Sequence, residues 1–244
     1  MNSETFGNPM EFADVETSSE GYAQRFSGPV GEFFLALQTQ ITLALLTPWP
    51  GAKVLDIGGG HGQLALPLVK AGYGVTVAGS HPACRERLDR LLPPDSYNFK
   101  WGNLLSLPLE DKSFDIVLSF RLLPHVEAWP NLIAECCRLA GKAVIVDYPD
   151  TRSINIFSKV FFRLKKAIEK NTRSFSCFSR GELMAEFTRH GFSHPLFRPE
   201  FFVPMALHRA LKSATLSRGL EAVCQGLGLT HLLGSPVILR VTPE

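Results

Sequence analysis

Several classes of protein are excluded by what this 244-residue chain lacks. Its 5 cysteines (Cys84, Cys136, Cys137, Cys177 and Cys224) form no C-x-x-C pair and no zinc-ligand spacing. That rules out a metal-knuckle pattern and makes a reducing, cytoplasmic compartment the expectation. His190 and His194 stand close in sequence, but Gly191 and Pro195 break any helix that would align them on a metal. The N-terminus, Met-Asn-Ser-Glu-Thr-Phe, has neither the basic start nor the apolar core of a signal peptide. The longest apolar stretch, Phe33 to Leu46, is interrupted by Gln38, Thr39 and Gln40. It falls short of the roughly 20 residues that span a bilayer, so a soluble protein is expected. No internal repeat or low-complexity segment is present. The 25 basic and 23 acidic residues leave a net charge of +2, too balanced to imply nucleic acid.

The charge is unevenly placed. Residues 1–150 sum to −6 and residues 151–244 to +8, and ten of the 18 phenylalanines lie in that basic part. With 45% hydrophobic residues, the chain can bury one full core and needs no second domain.

The most informative segment is Val54-Leu-Asp-Ile-Gly-Gly-Gly-His-Gly-Gln63. A short apolar run ends in Asp56 and enters a glycine loop, as a buried parallel strand does when it turns sharply into a helix beside a ligand. The dinucleotide fingerprint G-x-G-x-x-G would need glycine where Gln63 stands; the spacing here is G-x-G-x-G through Gly58, Gly60 and Gly62. Strand and helix signals then alternate as in βαβ units. Strands are expected at 54–57, 74–78, 98–101, 114–120 and 142–147, with helices at 63–71, 82–92 and 131–139. Beyond Pro149, helices are expected at 155–170, 180–190 and 205–227, with further strands at 192–198 and 236–241.

The loop and its lead-in, Val-Leu-Asp-Ile, resemble the first motif of the class I S-adenosylmethionine-dependent methyltransferases. Further segments resemble the type 11 group, which includes quinone C-methyltransferases. These are Gly102 to Asp115, Leu122-Leu-Pro-His-Val126, and the Leu-x-Glu-x-x-Arg helix through Glu135 and Arg138. The resemblance covers about residues 50–150. It implies a single α/β domain with a Rossmann-like, doubly wound, seven-stranded sheet, mostly parallel with an antiparallel last strand. A helical cap (1–50) precedes the cofactor core (51–150), and helical insertions after the fifth and sixth strands form the acceptor side (151–244).

The resemblance also implies site residues. Asp56, Gly58, Gly60 and Gly62 would hold the methionine end of the cofactor, and Asn103 and Leu104 the adenine, with Phe120 ending the fourth strand beside it. The family's ribose-binding acid is replaced by Gly79, which leaves Ser80 or His81 as substitutes. Tyr22 and Arg25, in an entry helix, would face the methionine carboxylate. His125, whose unperturbed pKa is about 6.5, is the expected general base. Arg121 is the expected anchor for an acceptor carboxylate or phosphate. Asp147 and Tyr148 end the fifth strand as acceptor contacts. Each has a plainer reading as a cap, turn or packing residue. The basic helix Asn155–Lys170 reads as a lid over the acceptor, as scaffold, or as a membrane-surface element.

These expectations describe a methyltransferase acting in line on a small aromatic or lipid-like acceptor, with apolar bulk and an anionic group. Two alternatives stay open. Gly79 and Asn103 allow a non-catalytic cofactor-binding module, and the loop allows an NAD-dependent oxidoreductase, against which Gln63 argues.

Overall fold

The computed structural model describes residues 12–153 and 175–244, so the expected helix 155–170 lies outside the described residues. Seven strands form one sheet: β1 (Lys53–Ile57), β2 (Gly74–Gly79), β3 (Asn98–Trp101), β4 (Phe114–Ser119), β5 (Ala140–Tyr148), β6 (Phe192–Pro199) and β7 (Val237–Pro243). Their order is β3-β2-β1-β4-β5-β7-β6, and β7 alone runs antiparallel to its neighbours. The order reverses between β1 and β4, where open α/β sheets bind ligands beyond the strands' carboxyl ends.

The central strands are apolar on both faces because both are covered. Leu55, Ile57, Val117, Val144 and Val146 enter one core with the helix α6 (Trp129–Leu139). Val54, Ile116, Leu118, Ala143 and Ile145 enter the other, against α3 (Gly28–Leu46) and α4 (Ala65–Lys70). The remaining helices are α1 (Ala13–Thr17), α2 (Glu20–Ala23), α5 (Glu86–Leu91), α7 (Arg180–Arg189), α8 (Met205–Leu211), α9 (Ala214–Gly226) and α10 (Leu229–Leu233).

Two expected elements differ in extent, each for a local reason. Gly62, with φ of 76°, closes the loop turn, so α4 starts only at Ala65. The single helix expected over 205–227 breaks where Lys212 takes φ of 52° and the Ser213 hydroxyl caps α9 by accepting from Leu216 N–H. Serine competes with the helix for backbone groups and favours such a cap. The helical cap expected over residues 1–50 consists, among the described residues, of α1, α2 and the 19-residue α3, which holds the apolar stretch Phe33 to Leu46. Among the described residues, α3 is the one helix long and apolar enough to cross a membrane. Here it buries Phe34, Gln38, Thr42 and Leu45 in the fold.

The Glu135–Arg138 motif on α6 proves to be a clamp on the segment before β4. Glu135, 5% exposed, accepts from Leu107 N–H at 2.7 Å and from Arg138 at 2.8 Å. Arg138 also donates to the Leu107 and Leu109 carbonyls and to Asp111. Removing the guanidinium strands a buried carboxylate, so Arg138→Met is expected to cost about 2–4 kcal/mol. Urea unfolding monitored by circular dichroism would check this; an unchanged midpoint would remove the clamp.

Candidate active site

At the end of β1 the chain turns through Gly58, whose φ of 77° is closed to most side chains, into a 3₁₀ turn over Gly59–His61. Gly58 N–H donates to the Ala78 carbonyl at 2.8 Å, which pins the loop to the end of β2. Asp56 lies beneath this turn, 2% exposed, with its Oδ1 buried and unpartnered. Burial raises its pKa to about 7, offset in part by Arg121 and reinforced by Asp147. Both ring nitrogens of His61 are likewise buried without partners, and Tyr22 and Phe26 present edge-on contacts to the ring. Burial, with Arg121 and Arg87 adding to it, lowers the His61 pKa to about 3, so the ring is neutral. Asp56, Gly58, His61, Tyr22, Phe120 and Arg121 line a cavity of about 20 Å³. That is room for about one water molecule.

The space beside it is filled by α1 and the residue after it. A side chain on Gly60 would come within 2.1 Å of the Ser18 hydroxyl. Asp14 of α1 is fully buried; its carboxylate accepts from Ser80 N–H at 2.7 Å, from the Ser80 hydroxyl and from the Cys84 thiol at 3.3 Å. An acid thus reaches the end of β2 from the N-terminal segment rather than from β2 itself. Gly79 has no room for one in this packing, since its Cβ would lie 2.8 Å from Cys84 and 3.1 Å from Phe99.

Several expected cofactor residues are engaged elsewhere. Ser80 is held by Asp14. Arg25 is exposed on Glu16 at 3.0 Å, because the polar side of its helix faces solvent. His81 is exposed, and its Nδ1 accepts from Ala83 N–H to cap the turn at Pro82. Asn103 is exposed with its amide oxygen tied to Leu105 N–H at 3.0 Å, and Leu104 is a core residue. Arg25, His81, Asn103 and Leu104 therefore line neither of the two cavities. Tyr22 lines both; Asp56, Gly58 and Phe120 line the smaller one.

A second cavity, of about 420 Å³, opens beyond the carboxyl ends of β4, β5 and β6. Its walls include Phe26, Phe34, Phe201, Tyr148, Arg121 and His125. The two residues expected to act in catalysis thus share one cavity. The His125 ring meets Phe175 at a centroid distance of 5.7 Å. Arg121 lines both cavities, holds φ of 57°, donates its backbone N–H to Asp147 at 2.5 Å, and lays its guanidinium over Phe26 at 4.8 Å. Its Nη1 is buried and unpartnered.

Sequence reasoning missed the polar floor of this cavity. Gln38 of α3 donates from one amide nitrogen to Asp147 and to Glu200, both at 3.1 Å, and accepts from Gln63 of the glycine loop at 2.7 Å. Gln63 and His61 sit inside the motif already singled out. Gln38 and Glu200 carry no local signal, because the pairings of Gln38 with Asp147 and Glu200 span 109 and 162 residues.

Ionising Asp56 opposes folding. Its pKa in the folded chain lies above the ordinary 3.8, so a penalty begins near that value as pH rises and is complete above about 7. Asp56→Asn is therefore expected to stabilise the protein at pH 8, by an amount on the order of 2–4 kcal/mol, and hardly at all at pH 4. Thermal melts at the two pH values would check it; an equal effect at both would sink the assignment.

Residues 55–144 match the methyltransferase domain family. An uncharacterized protein of Mycobacterium tuberculosis is 26% identical over 104 residues, which span 41% of this chain and 38% of that protein's length. Among solved structures, a methyltransferase of Thermotoga maritima, described as a possible histamine N-methyltransferase, superimposes with a TM-score of 0.67 at 20% identity, covering 96% of this chain and 100% of that one. Magnesium protoporphyrin IX methyltransferase of Synechocystis, with bound S-adenosylhomocysteine, superimposes with a TM-score of 0.63 at 16% identity, over 93% of this chain and 96% of that one. A [4+2]-cyclase shares the fold less closely, with a TM-score of 0.53 at 18% identity, over 80% of this chain and 75% of that one. The strand order and the Asp56–Gly62 loop thus accompany a match to the methyltransferase domain family over residues 55–144, and the solved neighbours share the fold of the whole sheet.

Proposed function

We propose that this protein transfers the methyl group of S-adenosylmethionine to a small, largely apolar acceptor held in the 420 Å³ cavity. One observation carries the reading. Asp56 and Arg121 offer buried, unpartnered groups of opposite charge on one small cavity beside the glycine loop. They match the ammonium and carboxylate of an amino-acid end. Arg121 is thereby assigned to the cofactor rather than to the acceptor. Since Arg121 also lines the larger cavity, donor and acceptor would meet beside it. A fold alone does not settle chemistry, as the cyclase neighbour illustrates.

When bound, the cofactor supplies a methyl group already activated on a sulfonium. The chain's own task is alignment and exclusion of water. Asp56 and Arg121 fix the donor end, the aromatic walls orient the acceptor, and His125 accepts the proton that the acceptor's nucleophilic atom gives up. The cofactor fits only after a movement, because the cavity between Asp56 and Arg121 holds about one water molecule and Asp14 and Ser18 fill the space beside Gly60 and Ser80. Entry of the cofactor therefore requires α1 to lift from the loop. A second reading, a binding module without transfer, draws on the same seated α1 and on the absent acid at Gly79.

Calorimetric titration with S-adenosylmethionine, S-adenosylhomocysteine and NAD tests the first reading; binding of NAD alone would sink it. Given cofactor binding, His125→Ala should lower turnover about 10²-fold or more while changing cofactor affinity little. Turnover unchanged in His125→Ala would end its role as base. S-adenosylhomocysteine should speed hydrogen exchange in residues 13–23, and added protection there would refute the lifting of α1.

A further inference from the structure

The geometry points to a basic nitrogen as the group that the acceptor presents to Glu200, which makes the acceptor an apolar or aromatic amine; this rests on the reading of the larger cavity as the acceptor site.

Glu200 is 2% exposed and lines that cavity. One of its oxygens, Oε1, accepts from Gln38 at 3.1 Å, while Oε2 accepts no hydrogen bond among the described residues. Its neighbours Gln38 and Asp147 have no donor to spare. The Gln38 amide nitrogen already serves both Asp147 and Glu200, and its oxygen receives Gln63. Both oxygens of Asp147 are taken, by Arg121 N–H and by Gln38. A carboxyl oxygen that faces a largely apolar cavity without a donor is open to a ligand that brings an N–H.

Charge selects the kind of donor. Asp147 and Glu200 face the cavity against one arginine, Arg121, which the small cavity shares. Burial first, and Asp147 next, push the Glu200 pKa up to about 8, and neither Gln38 nor Arg121 restores it. Two carboxyl groups thus share this wall of the cavity. A bound carboxylate or phosphate would be repelled as either of them ionises, whereas an ammonium would draw both toward the ionised form and pair with them. This departs from the anionic group expected from bulk charge. Phe26, Phe34 and Phe201 supply faces that accept both an apolar body and a nearby cation.

The test is calorimetry on the full chain with S-adenosylhomocysteine present, using three ligands of similar shape: 2-phenylethylamine, 2-phenylethanol and 3-phenylpropanoate. The amine is expected to bind at least about tenfold tighter than either of the others. Glu200→Gln keeps an acceptor for Gln38 and should erase that preference while leaving the alcohol within about twofold. No binding of the amine, equal or tighter binding of the alcohol or carboxylate, or an amine preference that survives in Glu200→Gln would each overturn the inference. If that variant does not fold, the three ligands on the native chain decide alone. The S-adenosylhomocysteine titration separates the two levels. Amine preference without cofactor binding would reject the methyltransferase reading and leave this one. Cofactor binding without amine preference would do the reverse.

Discussion

Gln38 is the residue through which the site holds together. From the middle of α3 it bridges Asp147 at the end of β5 and Glu200 after β6, and it receives Gln63 from the glycine loop. Three segments far apart in sequence meet at one amide. A primary amide has two donor hydrogens and one acceptor oxygen, and here all are used. In a low-dielectric interior such a network orders its members strongly, because a broken link leaves a buried polar group unpaired. The distance between the glycine loop and the larger cavity is therefore set by hydrogen bonds as well as by packing.

The site is also where the fold gives up stability. Asp56, Asp147 and Glu200 are buried carboxylates whose pKa values burial raises to about 7, 6 and 8. Arg121 holds a left-handed backbone conformation that an arginine rarely adopts. None of these helps the chain fold. Two apolar layers on the central strands support them, with Val54, Leu55, Ile57, Ile116, Val117, Val144 and Ile145 almost wholly buried. Groups kept against the folding gradient in one cleft are a mark of binding or chemistry.

The position of α1 gives the missing acid of β2 a physical setting. Gly79 leaves no space for a side chain against Cys84 and Phe99, and Asp14 reaches the neighbouring Ser80 instead. A carboxylate is thus present at the end of β2 but belongs to a short helix of the N-terminal segment. Glu20 and Arg25 extend the attachment only through exposed ion pairs, to Arg87, Arg90 and Glu16, which hold weakly in water.

Local pattern by itself determined the strands, the doubly wound order and the cofactor loop. Buried parallel strands must be apolar on both faces, and a turn at φ above zero needs glycine, so both are written in consecutive residues. The Glu135–Arg138 spacing was equally legible, although its work as a clamp on Leu107 and Asp111 was not. Arg25, His81 and Asn103 were read as ligand contacts, yet each found a nearer partner in Glu16, Ala83 or Leu105. Only the tertiary structure decided that Asp14 lies at the end of β2, that Arg121 belongs to two cavities, and that Glu200 faces Asp147 across Gln38. Those pairings join segments 66 to 162 residues apart. A periodicity of two or of 3.6 residues records which way a side chain faces, and carries no information about the distant residue it will meet there.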